Sequence, residues 1–456
     1  MSDNICPHVA VIGGGFCGLA AAYELGKCGI RATVLERDGE LGGLAGSFTV
    51  GGTRLEKFYH HWFTSDVHVM QLIEELGQSD RVLLRPTRTG SYYAHNFFKL
   101  STPLDLLRFS PLPFFSRIRL GLLALRARRV RNWRVLEDRT AADWLREMGG
   151  ERVYQVVWEP LLRGKFGDLA EEVAAVWFWN KLKLRGSSRG KGGEEQLAYY
   201  RGGFSALSDA LTDAIRAQGG EICTHAPVSG LQVEGGRVTG VVTPHRTLAV
   251  DGVIATPALP IFADLVEPHV PREYATGLRR IQYLANICVV LEMDKSLSDI
   301  YWLNVNDPGF PFVGVIEHTN FEPASTYSGR HIVYLSKYLP ATDALYQMPD
   351  REAIAFTLKH LRRMFPDLVD DHILAAHVWR ARYAQPVVER GYRRMIPDMQ
   401  TPLSNVFLAS MAQIYPEDRG TNYAIRDGRK AARAMAAARA NNLGGGNGEE
   451  KKKNAR

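Results

Sequence analysis

The densest chemical signal in the chain is Gly13-x-Gly15-x-x-Gly18, with Phe16 and Cys17 inside it and an acid, Glu36, further on. Glycines at that spacing suit a turn whose backbone must approach a pyrophosphate closely and whose helix must pack tightly on a strand. The helix N-terminus beyond such a turn offers free N–H groups and a favourable dipole to an anion. Glu36 is placed to accept hydrogen bonds from a ribose diol and would repel a ribose 2′-phosphate. The elements that must hold these residues are legible around them: residues 9–12 form a short apolar strand, 19–27 are helix formers and 30–35 form a second strand. The pattern is one βαβ unit carrying a dinucleotide site.

The glycine turn sits in a chain of 456 residues, 45% hydrophobic and 23% charged, which excludes disorder, collagen and coiled coil as global descriptions. At roughly 150 residues per domain there is chain for two or three domains and a buried pocket. Five cysteines form no C-x-x-C pair and no ligand spacing, so neither a zinc site nor a disulfide framework is expected, and reduced thiols in a cytoplasmic setting are the simplest reading. No Ser/His/Asp triad is discernible. The N-terminal residues do not read as a secretory leader, and no apolar run approaches the roughly 18 residues that a spanning helix needs. The net charge of +7 is concentrated. Residues 106–136 hold eight arginines and no acid, which either form a solvated helix face or attract an anionic partner, a membrane surface among them. Nothing interleaves aromatics with that charge in the manner of a nucleic-acid groove.

Beyond Glu36 the sequence runs Glu36-Arg37-Asp38-Gly39-Glu40-Leu41-Gly42-Gly43-Leu44-Ala45-Gly46-Ser47. With this second glycine pair, the chain resembles the superfamily of flavin-containing amine oxidases and protoporphyrinogen oxidases, which includes phytoene desaturase-like enzymes and UDP-galactopyranose mutase. The resemblance implies that Glu36, Arg37, Gly42, Gly43 and Leu44 wrap around FAD. Two further segments extend it over most of the chain. Gly202-Gly203-Phe204, the helix after it and Val228 resemble the segment whose valine backbone meets the adenine. Residues 405–411 and 420–428 resemble the closing flavin motif, in which a helix N-terminus, here with Asn422 and Tyr423, faces the isoalloxazine. The usual Gly-Asp or Gly-Glu after the alanine is Ser410-Met411 in this chain, so the carboxylate expected on the ribityl or diphosphate is missing there.

The same resemblance singles out Lys57-Phe58-Tyr59-His60-His61-Trp62-Phe63. The mutase branch carries a flavin-side histidine in a similar stretch, and His61 matches it, with His60 as a second candidate for stabilising charge or moving a proton. The alternative, that one histidine simply packs, stays open. Tyr415 and Arg419, just before the flavin-facing helix, and the aromatic Trp379 and Tyr383 are candidate substrate contacts, with core packing or a salt-bridged loop as the alternatives.

The fold expected is α/β: a Rossmann-like FAD-binding domain from residues 1–95, 196–260 and 378–440, with an inserted α+β substrate domain. That insertion has a helical part, 96–195, and a mixed or antiparallel sheet part, 261–377. Residues 186–194 read as a flexible breaker and 441–456 as a disordered tail. The leading functional expectation is an FAD-dependent oxidoreductase that takes a hydride from a small-molecule substrate, anionic or lipid-linked. The alternatives are a non-redox sugar-nucleotide mutase, whose diphosphate the arginines would hold, and an anionic-surface binding protein with a vestigial flavin fold.

Overall fold

The computed structural model describes residues 6–99, 103–187 and 195–453; most of the expected breaker, residues 188–194, lies outside them. The expected βαβ unit forms as strand His8–Ile12, helix Phe16–Lys27 and strand Arg31–Leu35. These two strands lie inside a five-stranded parallel sheet, in the order Glu221–Cys223, Arg31–Leu35, His8–Ile12, Gly252–Ala255, Val406–Leu408. Strands buried on both faces read as continuous apolar runs, and these do. Val9, Val11, Val34 and Ile254 pack into one apolar core, while Ala10, Ile12, Leu35 and Val253 pack into another on the opposite face.

On the first face the helix Phe16–Lys27 lies between helix Gly203–Ala217 and the closing helix Thr421–Lys453. Gly18 and Gly428 set how closely these pieces approach. A β-carbon on Gly18 would overlap the Gly13 carbonyl, and one on Gly428 would overlap the Cys17 carbonyl. Buried Glu24 on the first helix pairs with Arg429 at 2.9 Å and Arg433 at 2.8 Å on the closing helix. Arg429 also reaches Glu75 at 2.7 Å, which ties in the helix Val67–Glu75. The closing helix continues past its expected end near residue 440, through the segment read as a tail, to Lys453.

The inserted sheet has seven strands, in the order Ile373–Pro386, Tyr283–Met293, His331–Leu339, Gly314–Glu317, Trp302–Val305, Thr89–Tyr93, Asn96–Lys99. All its pairings are antiparallel except that of Trp302–Val305 with Thr89–Tyr93. The expected boundaries at 95 and 378 therefore cut through this sheet, which takes strands from both flanks of residues 261–377. Alternating hydrophobicity reveals a strand but not its sheet. Helices Pro103–Arg108, Phe114–Arg129, Ala141–Gly149, Glu159–Phe166 and Ala175–Ser187 form the helical part. Thr140 caps the third of these, its hydroxyl accepting from the Asp143 N–H at 3.1 Å.

Candidate active site

The turn after the first strand supplies a cradle of bare backbone. Gly15 bridges Gly42, the Gly42 N–H donates to the Gly14 carbonyl at 2.9 Å, and a β-carbon on Gly43 would come within 3.2 Å of the Gly15 Cα. Gly42, at φ 103°, occupies the left-handed region that glycine enters freely. Glu36 is 8% exposed; one carboxylate oxygen accepts from the Gly14 N–H at 2.7 Å and the other from the Asp38 N–H at 2.9 Å. Its lone pairs thus shape the glycine turn, and those that remain can receive a ribose diol. The N-terminus of the helix Phe16–Lys27 has no side-chain cap, so its first amides remain available to an anion. Phe16 itself is buried edge-on against Phe204, with ring centroids 6.0 Å apart.

Several expected cofactor residues have other engagements. Cys17 is half-buried with its thiol directed at the Ala409 carbonyl, 3.2 Å away, and desolvation of that thiol pushes its pKa up, so it packs rather than reacts. Arg37 is exposed beside Asp38. The strand Glu221–Cys223 ends before Val228, which lies in the non-strand stretch beyond it. That stretch still passes the cradle, because the Ala226 N–H donates to the Glu36 carbonyl at 2.8 Å. Ser410 opens a short helical turn and donates its N–H to Gln413 Oε1 at 2.7 Å, with Met411 half-buried after it.

At the other end of this groove lies a cavity of about 180 Å³. Its walls come from every part of the chain: Leu44, His60 and His61 from the dinucleotide part, Lys181 from the helical part, Asn286 and Tyr338 from the sheet. Gly420, Thr421, Asn422 and Tyr423, the first turn of the closing helix, line it as well. Thr421 is held by the Trp62 indole N–H at 2.7 Å, and Asn422 Oδ1 accepts from the His68 and Val69 amides at 2.9 and 3.1 Å. The positive end of a helix dipole is thereby fixed at the cavity, where it favours developing negative charge.

Both histidines reach this cavity. His60 Nδ1 lies 2.6 Å from the Phe58 carbonyl, and burial brings its pKa down to about 4, so it is neutral at pH 7. With Nδ1–H donated to that carbonyl, Nε2 is the acceptor. His61 Nδ1 lies 2.9 Å from the Tyr301 hydroxyl, with its ring edge-on to Trp302.

Asp418 and Arg419 carry the strongest charges here. Asp418 is buried, 2.5 Å from Lys181 Nζ and 3.9 Å from Lys165 Nζ, and accepts from the Trp177 indole at 2.9 Å. Burial opposes its ionisation, but Lys181, Lys165 and Arg419 together hold its carboxyl far below the usual range. Burial, against the pull of Asp418 and with the push of Lys181 and Arg419, brings Lys165 down to about 7. Burial raises Asp66, also on the cavity wall, to about 6. Arg419 donates to the Tyr338 hydroxyl at 2.7 Å, while its buried Nε has no hydrogen-bond partner.

The other expected substrate residues stand elsewhere. Trp379 packs between Phe48 and His377, with Lys57 Nζ 4.9 Å above its ring, because its strand pairs it across from Cys288. Tyr383 packs edge-on against Tyr283. The Tyr415 hydroxyl lies 3.4 Å from Glu137, with Trp133 and Tyr392 around its ring. None of the three lines the cavity. Residues not foreseen from sequence, Lys165, Lys181, Asn286, Trp302 and Tyr338, cluster at or beside it instead. The one usable signal was Lys181, a cation two residues after the aromatic run Trp177-Phe178-Trp179.

The bare glycine cradle, the buried acid and the helix start facing the cavity fit FAD, and a family model described as flavin containing amine oxidoreductase matches residues 16–436. The chain belongs to this family. FAD is its cofactor, and Glu36, Gly15, Gly42, Gly43 and the first turn of the closing helix are the groups suited to hold it. This family member is 27% identical over 438 residues to the carotenoid phi-ring synthase of Streptomyces griseus, covering 87% of this chain and 81% of that protein. It is 25% identical over 427 residues to the coproporphyrinogen III oxidase of Propionibacterium freudenreichii, covering 78% and 77%. Among solved structures, the cyclohexylamine oxidase of Brevibacterium oxydans shares the fold at TM-score 0.67 and 18% identity, over 95% of this chain and 99% of that one. An oxidoreductase from Methanosarcina mazei does so at TM-score 0.69 and 21% identity, over 88% and 94%.

Proposed function

We propose that this flavin-dependent oxidoreductase takes a hydride from a small organic substrate that carries an anionic group. When bound, FAD supplies the two-electron acceptor. The observation that carries the reading is Arg419, a guanidinium at the cavity wall beside an Asp418 already engaged by Lys181. A bound carboxylate or phosphate would pair with this guanidinium through charge-assisted hydrogen bonds. Tyr59, Trp302 and Tyr338 would wall the substrate off from water, and the neutral His60 could accept a proton at Nε2. The names of the relatives, an oxidase of coproporphyrinogen III and a phytoene dehydrogenase among them, support oxidation as the class of reaction.

The test is anaerobic bleaching of the purified yellow protein by a panel of acids and their neutral esters. Acids are expected to reduce it more readily than their esters, and Arg419→Met should raise KM for acids about tenfold or more while leaving esters nearly unchanged. Equal response of acids and esters in both proteins would refute the assignment of Arg419. If the photoreduced protein isomerises nucleotide sugars without net bleaching, the mutase reading replaces this one.

A further inference from the structure

Among the described residues, thirteen large apolar side chains are exposed, and eight of them fall between Leu104 and Val135. Five sit on one helix, Phe114–Arg129: Phe114, Phe115, Ile118, Leu122 and Leu125. At 3.6 residues per turn these five fall within an arc of about 100°. Phe115 is 79% exposed. The core-facing side of the same helix is separate: Leu120, Leu123 and Ala127 are buried there, and the Trp179 indole donates to the Ala127 carbonyl at 2.8 Å. The helix thus has two apolar faces, and the protein covers only one.

Arginines border the uncovered face. On the same wheel Arg119 and Arg126 flank one edge, Arg117 and Arg128 the other, and Arg129 stands at its C-terminal end. Arg117 also braces the preceding helix, Pro103–Arg108, by donating from its guanidinium to the Leu107 carbonyl, and holds the connecting loop by donating from Nε to the Leu112 carbonyl at 2.7 Å. Leu104 and Leu107 on that helix extend the exposed apolar area. Residues 106–136 contain no acid and seven of their eight arginines are exposed; the half-buried Asp105, on the preceding helix between Leu104 and Leu107, is the one acid beside the patch in sequence among residues 103–136. A second copy of the chain is disfavoured as the cover, because a face-to-face pair would oppose arginine to arginine. An apolar ridge with cations on both flanks has the chemistry of a helix lying in a bilayer interface.

We propose that the helix Phe114–Arg129, braced by Pro103–Arg108, docks this protein onto an anionic lipid surface, the apolar ridge entering the interface and the flanking arginines meeting the headgroups. No described helix is long and apolar enough to cross a membrane, so the contact is peripheral. The docking helix packs against the helix Ala175–Ser187, which brings Lys181 to the cavity, so the surface that meets lipid and the wall of the active site are one helix apart.

The experiment is co-sedimentation of the full-length holoprotein with phosphatidylcholine vesicles, with and without phosphatidylglycerol. Binding is expected to be about tenfold or more stronger with phosphatidylglycerol and to weaken as salt is raised. Phe115→Glu combined with Ile118→Glu should reduce binding at least tenfold while the flavin spectrum and the melting temperature stay unchanged, since both side chains are exposed. Arg126→Glu with Arg129→Glu should abolish the preference for the anionic lipid. Failure to sediment with either vesicle overturns the proposal. So does a dimer, seen by light scattering, that Phe115→Glu dissociates, because the face would then belong to a second copy.

Discussion

Replacing Glu36 by Gln tests the cradle with almost no change of shape. Both carboxylate oxygens accept backbone amides, Gly14 N–H at 2.7 Å and Asp38 N–H at 2.9 Å, from a side chain that is 8% exposed. Glutamine keeps one oxygen and presents an NH₂ group where the second stood, so one amide faces another donor. That unpaired donor costs about 1–3 kcal/mol and falls on apoprotein and holoprotein alike. The loss of the charged acceptor for the ribose diol falls on the holoprotein alone and costs about 1.5–3 kcal/mol, which weakens FAD binding roughly 10- to 150-fold. Titration of flavin-stripped protein with FAD, followed by quenching of flavin fluorescence, reads that factor, and thermal melting of the apoprotein reads the other. A Kd within about threefold of the parent, with the apoprotein melting point lowered, would show that Glu36 only shapes the turn and never meets the cofactor.

Two further outcomes are expected. Gly428→Ala places a methyl group on the Cys17 carbonyl and forces the first and closing helices apart, so the melting temperature should fall by the equivalent of about 1–3 kcal/mol; an unchanged melting curve would mean that the two helices are not in that close contact. Acid should destabilise the protein through His318, which is 1% exposed, lies 2.7 Å from the Tyr327 hydroxyl and is held by burial at about 3, below its ordinary value of 6.5. Above 6.5 both folded and unfolded states carry it neutral; as pH falls from 6.5 toward 3 only the unfolded chain takes the proton, so stability declines by an amount on the order of 4 kcal/mol. Urea unfolding at pH 7, 5.5 and 4.5 measures the slope, His318→Phe should reduce it while leaving the part due to the buried His60, and an equal slope in parent and variant would remove His318 as a cause.

The glycine cradle was legible because it is local. A βαβ unit places Gly13, Gly15, Gly18 and Glu36 within one short stretch, and their spacing carries the geometric demand directly. The eight arginines of residues 106–136 were visible in the same way, as composition. The apolar ridge between them was not, because a helical wheel shows that Leu120 and Ile118 lie on different sides but not which side the rest of the protein covers.

The cavity shows the same division at larger scale. His61 is brought there by the strand Trp62–Phe63 pairing with Leu197–Ala198, Lys181 by a helix of the inserted part, and Asn286 and Tyr338 by neighbouring strands of the seven-stranded sheet. Sequence marked Trp379 and Tyr383 as aromatic candidates; the strand that carries them, Ile373–Pro386, and its pairing decided that Trp379 packs on Phe48 instead of facing substrate. Sequence by itself determined the dinucleotide turn, its acid and the family, since each depends on contacts between near neighbours. The tertiary structure alone decided which charges share the cavity and which apolar face stays bare, since those depend on contacts between segments that are separate elements of the chain, such as Ala127 with Trp179 or Asp418 with Lys181.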